Sequence, residues 1–248
     1  MIRNFKIIIQ YEGTRYQGWQ RKDSTGNTIQ GKFEAILAKM TGLAFVQVDG
    51  SGRTDAGVHA LGQVANFKIH TNMSAEKVMD YINQYLPEDI GVISIEEMPE
   101  RFHSRLNAKG KTYRYRIWNA NLPCVFERRY VYELPERLDM DAMKAASAYF
   151  VGKHDFKAFT SNKKSKKSTI RTIDEIQIER NGNEIVLTYS GDGFLYHMVR
   201  ILTGTLIEVG LGQRTPESMA ELLKESAARD LSGALAPAKG LCLVEVRY

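Results

Sequence analysis

In residues 50–67, "GSGRTDAGVHALGQVANF", a glycine-rich turn leads into an alternating run typical of a β-strand. The turn carries Arg53 and Asp55. An aspartate in a turn commonly accepts backbone N–H groups, so a local structural role is one interpretation. The glycines around it permit unusual backbone angles, and this favours a second interpretation, a loop that aims Asp55 and Arg53 at a ligand. Their spacing matches no phosphate-binding glycine motif, which excludes a nucleotide-cofactor site here.

The elements on either side of this turn predict the order strand, helix, two strands, helix, strand. Apolar residues recur at helical spacing after Thr28 and after Ser74, and the intervening runs are rich in β-branched residues. Gly42 and Pro87 are the predicted ends of the two helices. The predicted elements are strand 4–13, helix 28–42, strands 44–48 and 62–69, helix 74–87 and strand 90–98.

A similar βαββαβ-like order is predicted for the second half of the chain. The strongest local signal is Asn181-Gly182, a typical turn for a two-residue β-hairpin. We therefore predict an α+β protein made of two related halves, residues 1–105 and 106–248, with a mixed, mostly antiparallel sheet. The predicted elements are strands 111–119 and 130–135, helix 139–150, hairpin 172–193, helices 194–210 and 216–226, and strand 240–248.

The composition excludes several classes of protein. The 248 residues carry 34 Lys and Arg against 29 Asp and Glu, a formal net charge of +5, which permits a polyanionic partner without requiring one. Two cysteines exclude a disulfide framework and a zinc ribbon, and the five histidines show no metal-ligand spacing. We also find no signal peptide and no membrane-spanning run. A cytoplasmic protein with no metal and no cofactor is expected.

Two further residues are candidates for a site. Tyr113 and Tyr115 share one face of strand 111–119, either as the inward face of a half-buried sheet or as rings that stack on a base. Arg200 lies on a largely apolar helix, where a guanidinium needs an anionic partner. That partner is either a structural carboxylate or Asp55, whose ionised form the pair would stabilise.

Basic residues are interleaved with aromatic residues in segments 11–22 and 101–116. A third basic cluster is the lysine-rich segment 161–172, which we expect to be an exposed loop. A charge run is usually a solvated face, so each segment alone is a weak signal. Together they favour RNA over a small molecule as the substrate.

Several separated motifs resemble the tRNA pseudouridine synthase A family, in order along essentially the whole chain. They are "YEGTRYQGWQ", "GRTDAGVHALGQV", "RFHSRLNAKGKTYRY", "KTYRYRIWN", "FLYHMVRILTGTLIEVG" and "APAKGLCLVEV". The resemblance implies an α+β pseudouridine synthase fold with an active-site cleft between two related halves. It also implies a homodimer, and an isomerase that needs neither metal nor cofactor and converts uridine to pseudouridine in the anticodon stem-loop of tRNAs, at positions 38, 39 and 40.

The resemblance also assigns roles to residues. Asp55 matches the family's catalytic aspartate, as nucleophile or base, and Arg200 matches the arginine that pairs with it. Tyr113 matches the tyrosine that lies against the uracil, and Leu241 matches the apolar residue lining the base pocket. Arg53 matches the arginine associated with holding the flipped-out nucleotide.

The lysine-rich segment adds four expected substrate-binding residues, Lys163, Lys164, Lys166 and Lys167, on grounds of charge. Two alternatives stay open at this point. One is a related pseudouridine synthase that acts on another RNA, such as ribosomal RNA, and the other is an RNA-binding protein without catalytic activity.

Overall fold

The computed structural model of the chain describes residues 2–162, 167–224 and 226–248. They form two compact units. The first comprises Met1–Lys109 together with Cys242–Tyr248, and the second comprises Gly110–Leu241. Each unit contains both β-strands and α-helices, as expected for an α+β protein.

The first unit follows the predicted order. Strand β1 (Ile2–Tyr11) pairs antiparallel with β3 (His59–His70) on one side and with β4 (Ile90–Met98) on the other, and the short β2 (Val48–Gly50) pairs with β3. Helices α1 (Ile29–Thr41) and α2 (Ala75–Tyr85) lie between these strands in sequence. The closing strand of the chain, Leu241–Arg247, runs parallel to β3, with Cys242 opposite His59.

Local signals explain the helices of the first unit. The Thr28 hydroxyl accepts a hydrogen bond from the N–H of Gly31, and the Ser74 hydroxyl accepts one from the N–H of Lys77, so both helices begin at the predicted caps. Helix α1 ends at Gly42 in the left-handed conformation (φ +72°). The apolar stripes of α1 and α2 are buried, and so are the inward residues of β1.

The second unit is built on an antiparallel sheet in the order β5 (Gly110–Trp118), β9 (Glu184–Gly191), β8 (Ile170–Asn181), β7 (Gly152–Asp155). The short β6 (Tyr132–Glu133) runs parallel to β5. The unit also contains α3 (Met140–Ala148), α4 (Met198–Gly210) and α5 (Met219–Leu222). The predicted hairpin is confirmed: β8 and β9 meet at Asn181-Gly182, and Gly182 has φ +60°.

Four details differ from the sequence predictions. Helix α4 begins at Met198 instead of 194, because His197 adopts φ +67°, which α-helical geometry does not allow. Among the described residues of the predicted helix 216–226, a 3-10 turn (Pro216–Ser218) and the four-residue α5 are the only helical elements. Strand β2 lies later in the sequence than predicted, and β7 was not predicted.

The division into units also differs from the predicted halves 1–105 and 106–248. The chain leaves the first unit at Lys109, whose N–H bonds the carbonyl oxygen of Arg247 at 2.8 Å. The closing strand, β10 (Leu241–Arg247), belongs to the first unit from Cys242 onward, because it pairs with β3.

Candidate functional site

The loop Ser51–Val58 joins β2 to β3 and carries two of the predicted site residues. Arg53 is exposed, Asp55 is half-buried, and Thr54 between them is buried. The Thr54 hydroxyl and the Tyr11 hydroxyl are hydrogen-bonded at 2.8 Å, and the Thr54 carbonyl accepts the N–H of Trp19 at 3.0 Å. Thr54 therefore anchors the loop, while its neighbours on both sides keep access to solvent.

Hydrogen bonds hold the loop at its start as well. The Ser51 hydroxyl donates to Oε1 of the buried Gln63 at 2.8 Å, and Nε2 of Gln63 donates to the carbonyl of Gly52 at 3.1 Å. At the other end the N–H of Val58 bonds the carbonyl of Asp55 at 3.2 Å, across Gly57 at φ +78°. Gly57 supplies a backbone angle that other residues rarely adopt. The backbone on either side of Asp55 is therefore fixed.

The N-terminal segment packs against this loop through two glycines. A Cβ atom at Gly13 would lie 2.0 Å from the carbonyl oxygen of Val58. At Gly18, where φ is +91°, it would lie 2.6 Å from the carbonyl oxygen of Thr54. Only glycine lets the two backbones approach this closely.

The aromatic residues of the same segment are part of this support. They were expected to contribute to an RNA-binding surface, but Tyr11, Tyr16 and Trp19 are each at most 4 % exposed. The Tyr16 hydroxyl donates to Asp89 at 2.5 Å, and burial followed by this bond raises the pKa of Tyr16 well above its ordinary value. That expectation is wrong for these three rings, because their apolar surface is used inside the first unit.

In the second unit, Tyr113 lies on β5 with 7 % of its surface exposed. Its ring meets the ring of Phe194 edge to face, with centroids 5.3 Å apart, and it faces Tyr189 across the β5–β9 pair. The Tyr189 hydroxyl is bonded at 2.9 Å to the hydroxyl of Thr203 on α4. The aromatic face of β5 thus lies against α4 and the residues that precede it.

Arg200 lies in the first turn of α4 and is half-buried. Its Nε donates to the carbonyl of Ala236 at 2.7 Å, and the N–H of Ala236 donates back to the carbonyl of Arg200 at 3.2 Å. This reciprocal pair ties the arginine to the segment that leads into β10.

The same segment is fixed by Tyr115, the neighbour of Tyr113 on the inward face of β5. The fully buried Tyr115 donates its hydroxyl proton to the carbonyl of Pro237 at 2.7 Å. Its ring also fills the space beside Gly240, where a Cβ atom would lie 2.7 Å from it. Leu241, the next residue, is 5 % exposed. Tyr113, Arg200 and Leu241 are thus supported by one network within the second unit.

One of the arginines of β5, Arg116, has two carboxylate partners. Arg116 forms ion pairs with Glu184 at 2.6 Å and with Glu127 at 2.9 Å. Hydrogen bonding to Glu184 is the main cause that raises its pKa above the ordinary arginine value. Arg116 is therefore bound to carboxylates of its own unit.

The structure therefore places Arg53 and Asp55 in the first unit, and Tyr113, Arg200 and Leu241 in the second. The pairing of Asp55 with Arg200 and the cleft between the halves join different units and stay predictions. Of the predicted lysines, Lys167 is exposed. The other three, Lys163, Lys164 and Lys166, lie outside the described residues.

Within residues 2–162, 167–224 and 226–248, no three His, Cys, Asp or Glu side chains cluster in a way that could hold a metal ion. No helix in those ranges is both long enough and apolar enough to span a bilayer. Cys124 and Cys242 are free thiols.

Sequence reasoning missed the residues that support the site. Gly13 and Gly18 gave a usable signal, since two glycines five residues apart between aromatics indicate close backbone approach. The hydrogen bond from Tyr115 to Pro237 gave no such signal, because the two residues are distant in sequence.

Comparison with known proteins identifies the family of the chain. The family described as "tRNA pseudouridine synthase" matches residues 7–107 and 146–248. "tRNA pseudouridine synthase A" of Bacillus sp. (strain KSM-64) is 49 % identical over 247 residues, covering all of both chains. Proteins named "tRNA pseudouridine synthase A 2" from Clostridium perfringens (strain 13 / Type A) and Bacillus cereus (strain ATCC 14579) are 47 % and 43 % identical, again over the whole of both chains. The chain therefore belongs to the tRNA pseudouridine synthase A family and has the α+β pseudouridine synthase fold.

Proposed function

We propose that this protein is an isomerase that converts uridine to pseudouridine in tRNA, in the anticodon stem-loop. The observation that carries the proposal is the rigid loop around Asp55, whose buried neighbour Thr54 is bonded to Tyr11 and Trp19 while Asp55 itself is half-buried. Whole-length similarity to proteins named for this activity supports the same conclusion.

The reaction rearranges atoms without adding any. The bond between N1 of uracil and C1′ of the ribose breaks, the ring turns, and C5 bonds to C1′. The hydrogen on C5 leaves as a proton, and N1 gains one. The atoms balance without an oxidant, a reductant or a second substrate, so the proposed reaction consumes no co-reactant.

Asp55 is the proposed catalytic residue. A carboxylate on a fixed backbone can attack the sugar or the ring as a nucleophile, or remove a proton from the ribose as a base. Because a base within a stem is inaccessible, the target nucleotide has to be flipped out at a cost of a few kcal/mol. Arg53, exposed beside Asp55, is proposed to hold the displaced strand through its phosphates.

The second unit supplies the other proposed roles. Tyr113 and Leu241 are nearly buried apolar surfaces that can lie against the uracil while it turns. Arg200, held by Ala236, is proposed to pair with Asp55 and keep it ionised. We propose that the lysines of 163–167 bind tRNA phosphates, and that the protein is a cytoplasmic homodimer, as the family resemblance implies.

The test uses an unmodified tRNA transcript with wild type and with Asp55→Ala. Pseudouridine is mapped by carbodiimide labelling and reverse-transcription stops, because the isomerisation leaves the mass unchanged. Stops in the anticodon stem-loop with wild type alone, and retained tRNA binding by the variant, are the expected result. Product on ribosomal RNA fragments but not on tRNA would indicate another target, and binding without product on either RNA would indicate a non-catalytic protein.

A further inference from the structure

The segment after β4, residues 101–109, forms a turn that presents Arg105 and Leu106 to solvent. Arg105 is exposed, and Leu106 exposes 78 % of its surface, whereas Ser104 immediately before them is completely buried. In the part of the chain that the structure describes, the Arg105 guanidinium takes part in no hydrogen bond or ion pair.

Hydrogen bonds within the turn fix its shape. The N–H of His103 donates to Oδ1 of Asn107 at 2.8 Å, and the N–H of Asn107 donates to the carbonyl of His103 at 3.0 Å. The N–H of Arg105 donates to Nδ1 of His103 at 3.1 Å. The backbone of Arg105 is thus held by its own neighbours.

Ser104 anchors this turn to the first unit from three directions. Its N–H donates to Oδ1 of Asn66 on β3 at 2.8 Å, and its hydroxyl donates to the carbonyl of Asp49 on β2 at 2.5 Å. Its carbonyl accepts the Tyr248 hydroxyl at 2.6 Å. Burial of this hydroxyl raises the pKa of Tyr248 above its ordinary value.

The anchor continues into a second layer of buried amides. Nδ2 of Asn66 donates to Oδ1 of Asn4 at 3.2 Å, and Nδ2 of Asn4 donates to the carbonyls of Pro99 and Phe102. Asn4 and Asn66 are each 3 % exposed. A buried polar network that is satisfied in this way specifies one geometry, and its partial loss is costly. A loop that only connects two strands does not need such a buried network.

The anchor point also places the turn near the catalytic loop. Asp49 belongs to β2, the strand that leads into the loop 51–58, and Asp55 lies six positions further along the chain. The Cα atoms of Asp49 and Asp55 are therefore at most about 22 Å apart. The turn and the loop are fixed to the same short strand.

We infer that Arg105 is a positioning residue that binds a backbone phosphate of the RNA strand carrying the target uridine, with Leu106 packing on the adjacent sugar or base. This inference rests on the proposed function. An exposed arginine can bind a phosphate through two parallel hydrogen bonds. A rigid backbone lets it do so without losing the conformational freedom that a mobile loop would lose.

The experiment measures tRNA binding as a function of salt, and pseudouridine formation, for wild type, Arg105→Ala and Arg105→Lys. Arg101→Ala is the matched control, because Arg101 is an exposed arginine of the same segment that takes no part in the turn's hydrogen bonds. With Arg105→Ala we expect Kd and KM to rise about tenfold while kcat at saturating tRNA is retained. The slope of log Kd against log salt should fall by about 0.7, the value for one phosphate contact of a single strand.

The other variants separate charge from position. Arg105→Lys should keep the salt slope but bind less tightly, because lysine lacks the planar fork. Ser104→Ala keeps every charge, so we expect an unchanged salt slope with weaker binding and a lower Tm. Arg101→Ala should change Kd less than twofold.

Two results would overturn the inference. One is an Arg105→Ala enzyme with the Kd and salt slope of the Arg101→Ala control, and the other is a Ser104→Ala enzyme that binds tRNA as wild type does. Failure of the proposed function is distinguishable, since wild type itself would then form no pseudouridine.

Discussion

The contact between Gly18 and the loop that carries Asp55 allows a quantitative prediction for Gly18→Ala. The new Cβ atom would lie 2.6 Å from the Thr54 carbonyl oxygen, so that oxygen has to move about 0.4 Å to reach even the shortest contact seen for real Cβ atoms, 3.0 Å. A misplacement of 1 Å at a reacting group costs about 10²-fold in rate, so a shift of nearly half that size should cost about tenfold.

The substitution also strains the backbone, and Gly42→Ala controls for this. Gly18 has φ +91° and Gly42 has φ +72°, but a Cβ atom at Gly42 meets nothing within 4 Å. A non-glycine residue in the left-handed region costs about 1–2 kcal/mol, which in a protein of this size lowers Tm by about 2–8 °C. Both variants should show this loss, and Gly18→Ala should show a further loss from the contact with Thr54.

The assay is single-turnover pseudouridine formation with saturating enzyme, at a temperature where both variants are folded by circular dichroism. We expect Gly42→Ala to react at the wild-type rate and Gly18→Ala about tenfold more slowly. Equal rates for the two variants would refute the argument, because they would show that the position of Asp55 does not depend on the close approach of the N-terminal segment.

Three further predictions concern burial and charge. The Glu34 carboxyl is buried, and burial raises its pKa despite the Arg21 guanidinium 3.4 Å away, so the native state binds a proton at higher pH than the unfolded state. The protonated Glu34 carboxyl therefore contributes its full stability below the pKa of the unfolded state, and this contribution is lost as the pH rises through the pKa of the folded state. Glutamine resembles the protonated carboxyl at every pH, so Glu34→Gln should raise Tm near pH 7. The difference in Tm between variant and wild type should shrink toward pH 5 in thermal melts. Tyr115→Phe leaves the Pro237 carbonyl without its donor and should cost about 1–3 kcal/mol in denaturant unfolding, whereas an unchanged midpoint would mean that water replaces the hydroxyl. Alanine at the lysines of 163–167 should weaken tRNA binding and flatten its salt dependence in a filter-binding titration, and an unchanged slope would assign that segment to the solvated surface.

The elements of the first unit could be predicted because their signals are local. The caps Thr28 and Ser74 and the stop at Gly42 act within one helical turn, and the Asn181-Gly182 hairpin of the second unit has the same local origin. The motif around Asp55 also identified the family without any structure. These features depend on residues that are neighbours in sequence.

The features that could not be predicted depend on contacts between distant segments. The pairing of Cys242 with His59 brings together strands that are far apart in sequence, and no local pattern records a parallel partner. The segment that holds Tyr11, Tyr16 and Trp19 also contains Arg15 and Arg21, so it resembled an RNA-binding patch, although these three rings are buried within the first unit. The left-handed angle of His197 has no sequence signal of the kind that glycine gives.

The return of β10 to the first unit has a consequence for the order in which the protein is made. The start of β3, directly after the Asp55 loop, gains its parallel neighbour only when Cys242 and Leu243 have been synthesised. Residues 110–241 leave the ribosome first, which takes roughly 7–26 s at about 5–20 residues per second. The unit that carries Asp55 is thus synthesised early but completed only when β10 has been made, so a chain truncated before β10 would lack one strand of the first unit.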